Sequence, residues 1–111
     1  MVGDNRKVSL RVVKVGTDRL TLPGNKFKEG DAVVVIKSYR DGKPIVKIRR
    51  IDIEDDEEVI HAGVVKKYNV HVLYSRQMIK KLSKIGIKPK SFIAYIDGED
   101  DNEVIISQVK F

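Results

Sequence analysis

The order of predicted elements repeats within this chain, and that repetition limits its possible folds more than any other feature. Residues 27–48, FKEGDAVVVIKSYRDGKPIVKI, predict a turn, a strand, an Asp-Gly hairpin and a second strand. Residues 87–108, IKPKSFIAYIDGEDDNEVIISQ, follow the same order. Because a longer strand and a short strand precede each segment, the sequence predicts a mainly β chain built by internal duplication.

In the first half, residues 7–15 alternate apolar and polar side chains, which is the period of a half-buried strand. A short strand, LTL, ends at Pro23 because proline has no amide hydrogen for a ladder. Asp41 and Gly42 predict a tight hairpin turn, since both residue types accept the left-handed backbone angles that such a turn needs.

The second half predicts a strand over residues 58–68, interrupted at Gly63, a strand over residues 69–74 and one helix. Ser75 suits the N-cap of that helix, and Gly86 suits its C-terminal end. One helix face is apolar, with Met78, Ile79, Leu82 and Ile85. The first half has only PGNK in the corresponding place, so the two halves differ mainly by this helix.

Charge alternates along the chain in the same two-part way, within a net charge of +6. Residues 1–51 carry thirteen basic and five acidic side chains, and residues 59–96 carry eight basic and no acidic ones. Residues 52–58 and 97–111 are acidic. The basic blocks favour a polyanionic partner, and the acidic runs are typical of solvated loops.

Composition excludes several classes of function. The chain has no cysteine and two histidines, so we expect neither disulfides nor a zinc site. With no signal peptide or long apolar run, we expect a soluble cytoplasmic protein, and the residue usage is typical of thermophiles. No nucleophile elbow, phosphate loop or catalytic triad appears, so we expect no enzymatic activity and no cofactor.

Two segments carry a resemblance to a known family. Residues 18–23, DRLTLP, with residues 27–35, FKEGDAVVV, resemble the AbrB/SpoVT (MazE-like) swapped-hairpin DNA-binding family. Its pattern is roughly Gly-Arg-Ile-Thr-Ile-Pro, a short helix, then Leu-Gly-Ile-Lys-Pro-Gly-Asp and a strand. Residues 78–96 are similar to the helix and second part, although Lys90 and Ser91 stand where the family has Gly-Asp.

The resemblance implies a fold and an organisation. The family works as a homodimer whose two hairpins interleave into one barrel, so this chain resembles that dimer fused into one polypeptide. We expect one barrel domain over residues 1–111, with halves at 7–51 and 59–111 and an acidic connector at 52–58. A double-psi β-barrel is the near alternative, because it is also built from duplicated units.

The same resemblance implies a DNA-binding surface. The family's basic residues on the first strand and in the Gly-Arg turn face DNA, and basic strands and turns can contact phosphates. The candidate DNA-binding residues are Arg11, Lys14, Arg19, Lys66, Lys67, Arg76 and Lys80. The predicted partners are duplex DNA, a protein such as a toxin and a second copy of the chain.

Other interpretations stay open at this point. Each lysine on a strand or helix can simply belong to a solvated face, and a protein-interaction barrel of the double-psi type or an RNA-binding barrel is an alternative function. We expect His71 to be structural, and we place Tyr39, Tyr68, Tyr74 and Tyr95 in the core or at a barrel rim. Few exposed aromatic side chains would argue against single-strand binding by stacking.

Overall fold

The structure is a computed structural model, which describes residues 11–50, 58–98 and 102–108. Within these residues the chain is mainly β with one short helix, which confirms the coarse fold prediction. The elements are β1 Arg11–Lys14, β2 Arg19–Thr21, β3 Ala32–Arg40, β4 Lys43–Arg50, β5 Glu58–Val64, β6 Lys66–Tyr68, β7 Val70–Tyr74, α1 Arg76–Lys84, β8 Phe92–Asp97 and β9 Glu103–Gln108.

The strands form two sheets around one core. The larger sheet has the order β1-β8-β9-β4-β3-β5, and the smaller sheet has the order β2-β7-β6, with every described pairing antiparallel. These pairings leave β1 and β5 at the edges of the larger sheet. The described strands therefore do not close into the barrel that the sequence predicted.

The two halves of the chain exchange strands in the larger sheet. β1 of the first half pairs with β8 of the second, and β5 of the second half pairs with β3 of the first. The registers correspond, since Lys14 lies opposite Phe92 where Val64 lies opposite Ala32. In this sheet β1 corresponds to β5, β8 to β3 and β9 to β4. The larger sheet therefore has the same order of corresponding strands from either edge.

The backbone at the end of each exchanged strand repeats this correspondence. The amide of Val15 donates to the Ser91 carbonyl at 2.9 Å, and the amide of Val65 donates to the Asp31 carbonyl at 2.8 Å. Both valines are buried, with 1% of their surface exposed. Each valine thus ends a long strand and anchors it at the base of the other half's hairpin.

The helix and the hairpin turn form where the sequence predicted them. The Ser75 hydroxyl accepts a hydrogen bond from the Met78 amide and caps α1, and Gly86 follows the helix with a φ of 100°. Met78, Ile79 and Leu82 are buried in the core cluster. Asp41 and Gly42 both have positive φ, as a tight hairpin turn requires.

Several predictions need correction or lie outside the described residues. The second half's long strand is interrupted at Val65 and not at Gly63, because the backbone of Val65 pairs with Gly30 and Asp31 instead of continuing along β3. Gly63 stays paired opposite Val33. Residues 7–10 of the first predicted strand and residues 51–57, which include most of the acidic connector, lie outside the described residues.

The four tyrosines divide between the core and the surface. Tyr95 is buried in the core, but Tyr39, Tyr68 and Tyr74 are 60%, 52% and 48% exposed. The exposed rings lie near turns and strand ends, where the sequence pattern does not distinguish inside from outside. Exposed aromatic side chains are therefore more common than the sequence led us to expect.

Candidate nucleic-acid surface

The small sheet holds the residue that the family resemblance singles out. Arg19 begins β2 and lies directly opposite Tyr74 at the end of β7. The next pair, Leu20 and Leu73, is buried and points into the core. Because side chains alternate along a strand, Arg19 and Tyr74 project from the opposite face of the sheet, where both are exposed.

Arg19 is held in place by two neighbours. Its Nε donates to Asp18 Oδ1 at 3.2 Å, and its guanidinium carbon lies 5.3 Å from the centroid of the Tyr74 ring. Among the described residues, no acceptor takes a hydrogen bond from its terminal nitrogens. The outer edge of the guanidinium is therefore available to an anion, and its side chain is 44% exposed.

Asp18 organises the same cluster. Its Oδ2 accepts a hydrogen bond from the Tyr74 hydroxyl at 2.7 Å, and its carbonyl accepts from the Ser75 amide at 2.9 Å. The Tyr74 hydroxyl and then Arg19 hold the pKa of Asp18 below its usual value, and the bond to Asp18 raises the pKa of Tyr74. The carboxylate thus stays ionised and offsets part of the positive charge of Arg19.

The start of α1 adds cations beside this cluster. Arg76 is exposed and its charge acts on both Asp18 and Tyr74. Lys80 lies one helical turn further along and is also exposed. Arg19, Arg76 and Lys80 therefore form one positive region that the sequence order did not reveal.

Lys66 and Lys67 occupy the edge strand of the small sheet. Lys66 lies opposite Val72, two residues from Tyr74, and so shares the face that carries Arg19. Lys67 lies opposite His71 and points the other way. We define the basic surface as Arg19, Lys66, Arg76 and Lys80.

The remaining candidates lie elsewhere in the described structure. Lys14 ends β1, in the large sheet, and its exposed side chain lies beside Phe92. Arg11 begins the same strand, opposite Tyr95 in the register. Arg11 and Lys14 thus belong to the larger sheet, whereas Arg19 belongs to the smaller sheet. The short connection from Val15 to Arg19 joins β1 to β2.

The described residues show little that would suit a small ligand. They contain no group of three or more histidines, cysteines or acidic residues placed to hold a metal ion. A cavity of about 10 Å³ beside Pro23, Lys26 and Asp97 has room for about one water molecule. The four side chains of the basic surface, in contrast, are all exposed, as contact with an anionic partner in solution requires.

Sequence reasoning missed Asp18 and Tyr74 as partners of Arg19. Asp18 was visible beside Arg19, but Tyr74 is distant in sequence and meets it only through the pairing of β2 with β7. One sequence signal for Tyr74 was available. Tyr74 ends an alternating strand and stands immediately before the helix cap Ser75.

Comparisons with protein-family models, with curated proteins and with solved structures find no match. Among the described residues, no helix is both long and apolar enough to cross a membrane.

Proposed function

We propose that this protein binds duplex DNA, as a transcriptional regulator or as the antitoxin of a toxin–antitoxin pair. We propose further that it is an AbrB-like chain whose two halves take the place of two subunits. In this proposal the protein acts by binding and not by catalysis. A second copy of the chain and a toxin remain the proposed protein partners.

The exchange of strands between the halves is the observation that carries this proposal. Interleaved hairpins place the first strand of each unit against the hairpin of the other. The pairings of β1 with β8 and of β5 with β3 have that arrangement within one chain, in matching register. Both sheets contribute to one core cluster, for example through Leu20 of β2 and Val33 of β3, so the two halves share a single core.

The chemistry of the basic surface supports DNA as the ligand. Lysine and arginine side chains that neutralise phosphates release condensed counterions, which gives salt-dependent affinity. The free edge of the Arg19 guanidinium suits a phosphate or the O6 and N7 atoms of guanine. Residues 59–96 contain eight basic and no acidic side chains, so this segment has no carboxylate of its own to repel DNA.

Fluorescence anisotropy of a labelled duplex across a salt series tests the proposal. If the four cations of the basic surface contact phosphates, the logarithm of the association constant should fall with the logarithm of salt concentration with a slope of about −3.6. Competition with duplex RNA separates DNA from RNA binding. Absence of salt-sensitive binding to duplex DNA at low ionic strength would contradict the proposal.

A protein-interaction module is the second candidate, and exposed apolar side chains favour it. Tyr39, Val64 and Phe92 are between 42% and 60% exposed. Alternating positive and negative patches would fit a protein partner, whereas a continuous positive face fits DNA. Binding that does not respond to salt, directed at a protein and not at DNA, would favour this candidate.

A further inference from the structure

The two halves have the same topology, but they differ in the connection that leads into the small sheet. In the first half, a tight turn joins β1 to β2, closed by a hydrogen bond from the Gly16 amide to the Arg19 carbonyl at 3.1 Å. In the second half, the corresponding connection is the hairpin of β6 and β7, which turns at Asn69 with a φ of 64°. Among the described residues, only the second half has a hairpin at this place, and its tip at residues 68–70 extends beyond the pairing of β7 with β2.

The halves also differ in how they fill the core beside that sheet. In the second half, α1 covers the core, and its other face is solvent-exposed and basic. In the first half, residues 23–27 form a turn in which the amides of Lys26 and Phe27 donate to the Pro23 carbonyl. Phe27 is fully buried and occupies this part of the core, and the described first half has no helix there.

The basic side chains of the two halves also differ in their ion pairs. Several cations of the first half form ion pairs: Lys26 lies 3.3 Å from Asp97, Arg50 lies 3.3 Å from Asp31, and Lys47 lies 3.9 Å from Glu103. Among the described residues, the second half's basic side chains form no ion pair with a carboxylate: Lys66, Lys67, Arg76, Lys80, Lys81, Lys84, Lys88 and Lys90. Among the described residues, several first-half cations are thus paired with carboxylates, two of which come from the second half, whereas the second half's own cations are not paired.

We infer that the chain engages DNA asymmetrically, through the β6–β7 hairpin and the exposed face of α1, and that its target sequence is not palindromic. This inference rests on the proposed function. Two-fold symmetric proteins read palindromic sites because both subunits present the same contacts. Here the topology keeps the two-fold relation while the contacting groups differ, so the two half-sites cannot be equivalent.

The hairpin has the form and the side chains to enter a groove. A two-stranded β-ribbon fits the major groove of B-DNA. Lys66 and Lys67 lie on its outer strand, where they can reach the backbone on either side. At its tip, Tyr68 and Val70 face each other across the turn and are 52% and 39% exposed. These two apolar side chains can contact base edges, such as the methyl group of thymine, that lysine does not recognise.

Selection from a library of duplexes with a randomised central segment tests the inference on the unmodified chain. The expected result is a single motif without internal two-fold symmetry. Because the chain has no cysteine, single-cysteine variants allow an iron chelate to be attached at one chosen place. Gln77→Cys lies on the exposed face of α1, and Asn25→Cys lies at the matching exposed place in the first half.

Cleavage should occur at one end of the selected site from Gln77→Cys and be absent or much weaker from Asn25→Cys. Lys66→Ala combined with Lys67→Ala should reduce the salt slope by about two, one for each lost phosphate contact. Lys28→Ala combined with Lys43→Ala, two exposed lysines of the first half, is the matched control and should leave the slope unchanged.

The outcomes separate the two proposals. A palindromic motif bound by a single copy of the chain, or equal cleavage from both cysteine positions, would overturn the asymmetric inference and leave DNA binding intact. Failure of the unmodified chain to enrich any duplex, with no salt-sensitive binding, would overturn the proposed function itself. Since the selected motif depends on no substitution, a variant that fails to fold does not decide the question.

Discussion

Lys90 and Gly30 occupy the same place in the two halves of the chain. The amide of Lys90 donates to the Val15 carbonyl at 2.8 Å, and the amide of Gly30 donates to the Val65 carbonyl at 2.9 Å. Both residues have left-handed backbone angles, with φ of 68° for Lys90 and 92° for Gly30. Glycine adopts such angles without steric cost, whereas lysine does not.

Placing glycine at position 90 and removing it from position 30 should therefore change stability in opposite directions. We expect Lys90→Gly to raise the free energy of unfolding by about 0.5–1 kcal/mol, because it removes the left-handed strain. Gly30→Ala should lower it by about 1 kcal/mol, although a methyl group there meets no neighbouring atom within 4 Å. Chemical denaturation of both variants measures the effects, and a loss of stability in Lys90→Gly would contradict this account.

Local chemistry explains which parts of the fold the sequence could predict. The hairpin turn at Asp41 and Gly42 and the cap at Ser75 depend on neighbouring residues, so composition and spacing were sufficient. The break at Val65 depends on a hydrogen bond to Asp31, in the other half of the chain. No local pattern reports such a bond, and the sequence accordingly placed the break at Gly63, the conventional breaker.

In the candidate surface, too, single residues could be predicted from local sequence but their proximity could not. Arg19 was predictable because a short motif marks it, and Arg76 because it begins the one amphipathic helix. Their proximity was not predictable, since it requires β2 to pair with the strand that leads into α1. Lys66 and Lys67 were predicted together as DNA-binding residues. The pairing of β6 with β7 shows which face of the small sheet each side chain occupies, and the two faces are opposite.

The Tyr95 hydroxyl links the two sheets through a part-buried hydrogen bond. It donates to the Thr21 carbonyl at 2.6 Å, and burial raises the pKa of Tyr95. Tyr95→Phe leaves that carbonyl without its partner, so we expect a loss of about 1–2 kcal/mol in the free energy of unfolding. Tyr39→Phe, at an exposed ring, is the control and should have no measurable effect.

The same residue predicts how stability responds to alkali. Because the folded pKa of Tyr95 lies above the ordinary value of 10.0, its contribution is fully present below pH 10.0 and is lost as pH rises towards the folded pKa. Denaturant midpoints measured across that range should fall less steeply for Tyr95→Phe than for the unmodified chain. Parallel curves for the two proteins would contradict the assignment.

Asp31 predicts the response to acid. The Lys28 amide donates to its carboxylate at 2.9 Å and Arg50 at 3.3 Å, and these contacts lower the pKa of Asp31. Its contribution is therefore present above the ordinary value of 3.8 and is lost as pH falls through the folded pKa. Asp31→Asn should be less stable at neutral pH and should converge with the unmodified chain in acid.

A matched acidic residue provides the control for that titration. Asp41 is exposed at the tip of the β3–β4 hairpin, and asparagine also tolerates its positive φ of 53°. Asp41→Asn should follow the unmodified chain across the whole acid range. A constant difference between Asp31→Asn and the unmodified chain at every pH would show that the carboxylate charge of Asp31 does not contribute.

Arg19 gives the most direct test of the basic surface. Replacing both Lys14 and Arg19 with alanine should weaken binding to duplex DNA and lower the salt slope by about two if each contacts a phosphate. Arg19→Lys separates charge from shape, because lysine keeps the positive charge but loses the planar fork that donates in pairs. We expect Arg19→Lys to keep the slope and lose affinity.

Stability and position must be controlled for this result to be interpreted. The double variant should keep the melting temperature of the unmodified chain, since both side chains are exposed and Arg19 is bonded only to its neighbour Asp18 among charged groups. Lys43→Ala removes an equally exposed lysine at the far end of β3, which spans nine residues or about 30 Å. Lys43→Ala should bind DNA as the unmodified chain does. If the double variant also retains full affinity and slope, DNA does not contact Arg19, and the positively charged helix face becomes the remaining candidate.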